Sequence, residues 1–323
     1  MPIRIELPTE FPVGPVNVYL FTDPEPVLID AGVKFKPSWE ALQAGLMDHG
    51  VRVGDLSKVI ITHPHVDHFG QAGRIAANSD AEIWVSTLGE EWLVNTAASW
   101  QKRIDYYRDT FLPKLDMAAD MQERMLAFMR FSRNTADPVP ADRLHIFNTD
   151  ARLTFGGMEW QSMHTPGHAS HQTCFYQPDS RQFMAADMLL EHTPTPVIER
   201  PFSGDLTARH DPSLPRFLES LTAVDALDIS TVYPGHGEPF TDYHALIARQ
   251  QHRIGRRKAK TLTLIGRGYD TVNKLVDEMY SHYPSAYRLV GLWMQVGYLD
   301  LLLADGAIRE EVRDGLWRYT NNE

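Results

Sequence analysis

The sequence predicts an α/β protein built from two strand-rich halves, and three observations carry that expectation. Short β-branched runs such as Val59-Ile60-Ile61 and Ser230-Thr231-Val232-Tyr233 end at Pro and Gly, as buried strands do. Other segments repeat large apolar residues at helical spacing, as in 214–226, where Phe217, Leu218, Leu221 and Val224 share one face. The strand-rich pattern also runs twice, once before residue 89 and again after residue 143. A chain of 323 residues with 43% hydrophobic and 23% charged residues has ample material for a core, in one large domain or two.

Taken in order, Asn17-Val18-Tyr19-Leu20-Phe21 and Pro26-Val27-Leu28-Ile29-Asp30 read as strands joined through the turn residues Thr22-Asp23-Pro24-Glu25. Residues 1–10 are short, mixed and acidic, with neither the charged start nor the apolar stretch of a secretory leader. Residues 38–49 place Trp39, Leu42, Leu46 and Met47 on one helical face. A helix is expected over 69–78 and a strand over 81–86. Residues 89–140 are helical in pattern and hold Trp92, Trp100, Tyr106, Tyr107, Phe111 and Phe131. Within them Met117, Met121, Met125 and Met129 recur every fourth residue. Such a stripe is ordinarily core; the alternative is a flexible, polarizable cap over a cleft, suited to a long or variable apolar substrate. Strands return at 143–147, at 151–155 and 158–163 around Gly156-Gly157, and at 173–176 and 182–187.

The strand at 59–61 runs directly into Thr62-His63-Pro64-His65-Val66-Asp67-His68-Phe69-Gly70. A rigid strand that ends in neutral-pH metal ligands pre-places a metal ion. Imidazole and carboxylate donors suit Zn²⁺ best, with Mn²⁺ and Fe²⁺ as alternatives. The competing reading is a surface loop that happens to carry histidines.

This stretch resembles the signature of the metallo-β-lactamase superfamily. The resemblance extends to segments in the order that family uses: Val27-Leu28-Ile29-Asp30-Ala31-Gly32, Thr165-Pro166-Gly167-His168, Phe183-Met184-Ala185-Ala186-Asp187 and Tyr233-Pro234-Gly235-His236-Gly237. It implies a four-layer αββα sandwich with metals at one edge between the sheets. Carried over position by position, His63, His65 and His168 resemble the ligands of a first metal, and Asp67, His68 and His236 those of a second. Asp187 resembles the carboxylate bridging both, and Asp30 a residue that braces the metal loop, with a plain turn carboxylate as the alternative for Asp30. Each ligand would come from a loop at a strand end. Two divalent cations would share a water, lower its pKa and let the hydroxide attack an acyl carbonyl or phosphorus, with Asp67 orienting the nucleophile or passing a proton. His171 and Gln172 stand where the family commonly has Gly and Ser, a departure from the best-known branches. His171 is expected to orient a ligand, touch substrate or simply pack. His164 flanks the same motif, His192 and His210 fall in a Pro-rich loop, and Tyr233 reads as structural. Cys174 lies too early to serve as the cysteine ligand of some family β-lactamases.

The boundaries that follow are 1–243 for the catalytic domain, with an inserted helical cap over 89–140, and 244–323 for a small second domain. In the latter, helices are expected over 244–263, 271–282 and 285–304. Segments 308–312 and 316–319 flank the hairpin signal Arg313-Asp314-Gly315. Three helices and a hairpin resemble a winged helix, as follows the catalytic domain in the β-lactamase-like endoribonuclease and polyketide thioesterase branch. The basic residues lie on its first helix, whereas the reading helix, 285–304, carries only Arg288. A packing or dimerising role, with a homodimer as one expected state, is therefore favoured over nucleic-acid readout. The net charge of −11 also disfavours a general nucleic-acid surface without excluding one. One cysteine permits no internal disulfide and no run is long enough to span a bilayer, so a cytoplasmic enzyme away from membranes is expected. The leading function is hydrolysis of a small acyl substrate, a thioester or ester. A single-strand endoribonuclease and a lactonase are alternatives using the same hydroxide, and a metal-bearing sensor or electron-transfer module is the reading from another class.

Overall fold

A computed structural model of the protein describes residues 1–197, 212–283 and 285–322. The first half holds β1 (Ile3–Leu7), β2 (Val16–Phe21), β3 (Val27–Ile29), α1 (Lys36–Met47), β4 (Lys58–Ile61), α2 (Val66–Phe69), α3 (Ala72–Asn78) and β5 (Glu82–Ser86). The helical segment follows as α4 (Glu90–Val94), α5 (Thr96–Tyr106), a π turn at Tyr107–Phe111 and α6 (Ala119–Ser132). The second half holds β6 (Leu144–Phe147), β7 (Arg152–Phe155), β8 (Met158–His164), β9 (Thr173–Gln177), β10 (Gln182–Ala186), α7 (Ser213–Asp225) and β11 (Thr231–Pro234). The tail comprises α8 (Tyr243–Gly266), α9 (Val272–Tyr280), α10 (Ser285–Ala304), β12 (Ile308–Arg313) and β13 (Leu316–Asn321).

One sheet runs β1-β2-β3-β4-β5-β6, antiparallel as far as β3 and parallel from β3 onward. The other runs β11-β10-β9-β8-β7, with β10 and β11 parallel and the remaining pairs antiparallel. The period-two alternation of each strand sorts its side chains into two cores. Tyr19, Phe21, Val27, Ile29 and Ile60 of the first sheet meet Phe155, Trp160, Phe175, Met184 and Tyr233 of the second. Phe21 and Phe155 lie edge to face across that seam at 5.3 Å, and Tyr19 and Tyr233 at 5.5 Å. The intervening residues, among them Val18, Leu20, Leu28, Val59, Ile61, Phe183 and Ala185, face outward into a core shared with the helices. Two inward faces against each other and two outward faces under helices make the αββα sandwich.

Several boundaries differ from the sequence expectation. Residues 3–7 form an edge strand, with Leu7 fully buried and Ile5 nearly so. The alternation Ile3, Ile5, Leu7 carries that signal. The helix expected over 69–78 is two pieces. The chain turns at Gly70 and Gln71, and a side chain at Gly70 would meet the backbone of Thr135 and Lys34. Met47 does not join the buried face of α1; it is 57% exposed. Of the methionine stripe, Met125 and Met129 are core, while Met117 and Met121 are half-buried.

The tail is joined to the helical segment that follows β5 and to α7. The Trp293 indole donates to the Tyr107 hydroxyl at 2.9 Å, Phe111 and Trp317 lie edge to face at 5.7 Å, and Gly297 lets α10 approach Leu214 of α7. The hairpin turns at Asp314 and Gly315, both at positive φ, which suits an Asp-Gly pair. Arg288, the one cation expected on the reading helix, has a side chain outside the described residues, as does all of His210. No helix among the described residues is long and apolar enough to cross a membrane.

Candidate metal centre

β4 delivers Thr62, His63, Pro64 and His65 at its carboxyl end, and the chain then enters α2. Asp67 and His68 therefore sit on a one-turn helix, which corrects the expectation that every candidate ligand lies in a loop. Asp30, just past β3, organises this stretch. Its carboxylate accepts from the Thr62 backbone N–H at 2.8 Å, from the Thr62 hydroxyl and from His68 Nδ1 at 2.8 Å. Asp30 holds φ of 62°, a left-handed conformation tolerated best by Gly, Asn and Asp.

The other candidates arrive from the second sheet. His168 follows the Thr165-Pro166-Gly167 turn, where a side chain on Gly167 would strike Phe217. Asp187 follows β10, whose pairing with β11 slips between Met184 and Ala186. Gly235 beside it allows close approach: a Cβ there would lie 2.1 Å from Asp187 Oδ1 and 2.8 Å from His68 Cε1. His236 follows.

Four of the five histidines use Nδ1 on a fixed partner. The Thr62 hydroxyl donates to Asp30, so it accepts from His63 Nδ1 at 3.0 Å. His68 Nδ1 binds Asp30, His168 Nδ1 donates to the Pro196 carbonyl at 2.6 Å, and His236 Nδ1 donates to the Pro15 carbonyl at 2.7 Å. Each Nε2 is thereby aimed inward. His65 instead turns Nδ1 inward, 3.1 Å from His63 Nε2 and 2.8 Å from His168 Nε2. His68 Nε2 lies 3.4 Å from Asp187 Oδ1, His168 Nε2 is 3.3 Å from Asp187 Oδ2, and His236 Nε2 is 3.5 Å from both Asp67 and Asp187.

These seven side chains fall into three overlapping donor groups: His63, His65 and His168; His63, His68 and Asp187; Asp67, His68 and His236. Within each group the donor atoms lie within 4.8 Å of one another. His68 Nε2, His236 Nε2 and Asp187 Oδ1 are buried without a hydrogen-bond partner. Buried polar atoms are ordinarily satisfied, and imidazole nitrogens and a carboxylate oxygen that converge without partners are what a cation accounts for. The donor set, nitrogen and oxygen only, fits divalent metal ions.

The electrostatics divide the cluster. Burial and the neighbouring histidines push His63 well below its ordinary pKa and His168 down to about 4. Burial opposes charge on His68 and His236 too, but their carboxylates outweigh it; Asp187 and Asp30 hold His68 well above its usual range, and Asp187 and Asp67 hold His236 at about 10. Against the same burial, histidines keep Asp187 well below its usual range and Asp67 at about 2.

The remaining histidines among the described residues do not join the donor groups. His164 is exposed and bridges its own loop through Nε2 to the Ser170 carbonyl. His171 is half-buried, with Nδ1 at 2.9 Å from the Ser170 hydroxyl and its ring 6.1 Å from that of Trp92. His192 is exposed beside Glu191. Tyr233 packs in the seam between the sheets. Cys174 is buried and bonded to Thr165 and the Ala185 carbonyl. Sequence reading did not anticipate Thr62, Pro15 and Pro196 as partners of the rings. Thr62 was in plain view beside the motif, whereas the two carbonyls are backbone groups with no side-chain signal.

Residues 11–236 match the metallo-beta-lactamase superfamily. The chain belongs to that superfamily. Metallo-beta-lactamase superfamily membership makes it a metal-dependent hydrolase, and its His and Asp groups imply divalent metal ions. It is 28% identical over 313 residues to a probable metallo-hydrolase of Bacillus subtilis, covering 95% of this chain and 93% of that one. An atrochrysone carboxyl ACP thioesterase of Emericella nidulans is 21% identical over 312 residues, covering 94% of this chain and 79% of its own. The beta-lactamase domain protein from Burkholderia ambifaria superposes with a TM-score of 0.82 at 19% identity, over 99% of this chain and 92% of that one.

Proposed function

We propose that this hydrolase cleaves acyl thioesters or esters of small molecules. In this reading His63, His65, Asp67, His68, His168, Asp187 and His236 hold two divalent cations, Zn²⁺ first and Mn²⁺ or Fe²⁺ as alternatives. One observation carries the substrate class. The similarity to the fungal thioesterase covers 94% of this chain, so it extends past residue 236, where the superfamily match ends, into the tail.

Bound divalent cations supply Lewis acidity toward the carbonyl and bring the pKa of a bound water toward neutrality. The chain's own residues prepare that chemistry. Thr62, Pro196 and Pro15 hold the rings of His63, His168 and His236 by Nδ1, which leaves each Nε2 for a cation. Asp67, 3.5 Å from His236 Nε2, would orient the attacking water through a carboxylate oxygen. A cleft of about 240 Å³ runs between Phe131 and Thr135 of the segment 89–140, Phe11 of the loop after β1, and Val33 and Phe35 of the loop after Asp30. We assign the acyl chain to it, which makes residues 89–140 a cap. We read 244–323 as a winged-helix-like unit whose role is to pack against that cap; with a chain charge of −11, nucleic acid is not its expected partner.

The test is thiol release from acyl-coenzyme A and acyl-glutathione thioesters by Zn- or Mn-loaded protein, with and without chelator. Chelator-sensitive release that rises with acyl length is expected, and Asp187→Ala and His168→Ala should lose both bound metal and turnover. Absence of thiol release from every thioester, with metal bound, would overturn the thioester assignment in favour of lactones or single-stranded RNA.

A further inference from the structure

A second cleft, of about 210 Å³, lies against the tail. One wall is the loop before β2, where Pro12 and Val13 lead to Pro15, whose carbonyl holds His236. Another is the stretch 193–196, ending at Pro196, whose carbonyl holds His168. Pro196 thus lines the cleft and holds a candidate ligand at once. Its third wall is the tail, with Arg253 and Arg257 of α8 facing Tyr280 of α9 and Met294 of α10.

The two arginines are four residues apart, so they share one face of α8. Arg257 stands over the Tyr280 ring at 5.1 Å and donates to the Tyr283 hydroxyl at 3.4 Å. Both are half-buried. The strongest influences on Arg253 are burial, Tyr298, Arg257, Tyr280 and Tyr283, with no carboxylate among them. Elsewhere in this acidic chain arginines such as Arg4, Arg52, Arg108, Arg152 and Arg318 sit on carboxylates. Two like charges held together and half out of water repel one another, and an anion between them reverses the sign of the interaction. The planar donor fork of Arg suits a phosphate, and the Pro, Val, Tyr and Met walls suit an uncharged carbon arm.

We infer that Arg253 and Arg257 form an anion subsite for the phosphate of a phosphopantetheine-type thiol, with the thioester carbonyl lying at the metal donors. The inference deepens the thioester reading above and rests on it for the identity of the arm. The shared chemistry is a pantetheine phosphate, carried either by coenzyme A or by a carrier protein.

The experiment compares kcat/KM for one acyl group on coenzyme A, on a phosphopantetheinylated carrier protein, and on N-acetylcysteamine, which has the thiol but no phosphate. Losing one charge-assisted phosphate contact lowers the ratio of phosphate-bearing to phosphate-free substrate by about tenfold or more, through KM, in Arg253→Gln and in Arg257→Gln. Arg257→Lys should fall between, since it keeps charge without the fork. Loss on coenzyme A alone or on the carrier protein alone supports the subsite and names its source. An unchanged ratio in both Gln variants overturns it. Calorimetric titration of wild-type and variant holoprotein with coenzyme A separates this result from the thioester reading. If the wild type turns over no thioester, that reading fails. The subsite then stands if wild-type protein binds coenzyme A and the Gln variants bind it about tenfold more weakly, and falls if the wild type does not bind it.

Discussion

Asp30 acts on the candidate metal centre without being one of its donors. It fixes Thr62, which fixes His63, and it fixes His68 directly. Outer carboxylates of this kind typically tune metal affinity by about 10- to 100-fold. Asp30→Ala is expected to weaken divalent metal binding by that order, read by competition with a coloured chelator, while far-UV circular dichroism keeps its native shape. Cys174 offers a second test at this scale. Burial pushes its thiol up to about 12, whereas an unfolded thiol ionises near about 8.5. At pH 8.5 the native protein should resist iodoacetamide and the urea-unfolded protein should react readily. Since the folded thiol keeps the proton that the unfolded one loses, this group's contribution to stability is present below about pH 8.5. It declines as pH rises toward about 12.

At the scale of elements, α6 separates the two meanings of an apolar helix. Met125 is 1% exposed, and Phe131 is 50% exposed at the lip of the cleft beside Asp30's loop. Met125→Ala removes core volume and should cost about 2–5 kcal/mol in urea unfolding. Phe131→Ala should stay within about 0.5 kcal/mol of wild type yet raise KM for long acyl chains. The opposite pattern would make Phe131 the packing residue. Helix α2 shows why an element boundary matters to chemistry. The Asp137 backbone N–H bonds the Gly70 carbonyl and the Lys34 N–H bonds the Thr135 carbonyl, so the segment after α6 grips both the turn after α2 and the loop after Asp30.

At the scale of the molecule, the outer core is continuous from the helices over the sheets through α7 to the tail: Phe111, Leu214, Val272, Val296 and Trp317 belong to one buried cluster. The Asn273 N–H also bonds the Leu115 carbonyl and Thr271 bonds Asp116. Packing of that extent should couple the tail's unfolding to the sandwich. Tryptophan fluorescence and metal release are expected to report one coincident urea transition. Two separated transitions would show that 244–323 unfolds as an independent unit.

The elements legible in the sequence were those whose signals are local. The run Val59-Ile60-Ile61 into His63, the Gly156-Gly157 turn, and the Asp314-Gly315 hairpin all carry their geometry in adjacent residues, because backbone preference and side-chain period act over a few positions. Edge strand β1 was equally local but only five residues long, too short to stand out beside an acidic start. Candidate donors were nameable because imidazole and carboxylate are the groups that bind such metals. Their convergence was not local, since His63 and His236 lie on different sheets. The carbonyls of Pro15 and Pro196, the pairing of Arg253 and Arg257 with the cleft, and the docking of α10 on α7 through Gly297 depend on which surfaces end up adjacent. The sequence alone thus determined residue chemistry and short-range conformation. The tertiary structure decided which of those groups share a buried volume, because that depends on contacts between segments far apart in the chain, which no local pattern encodes.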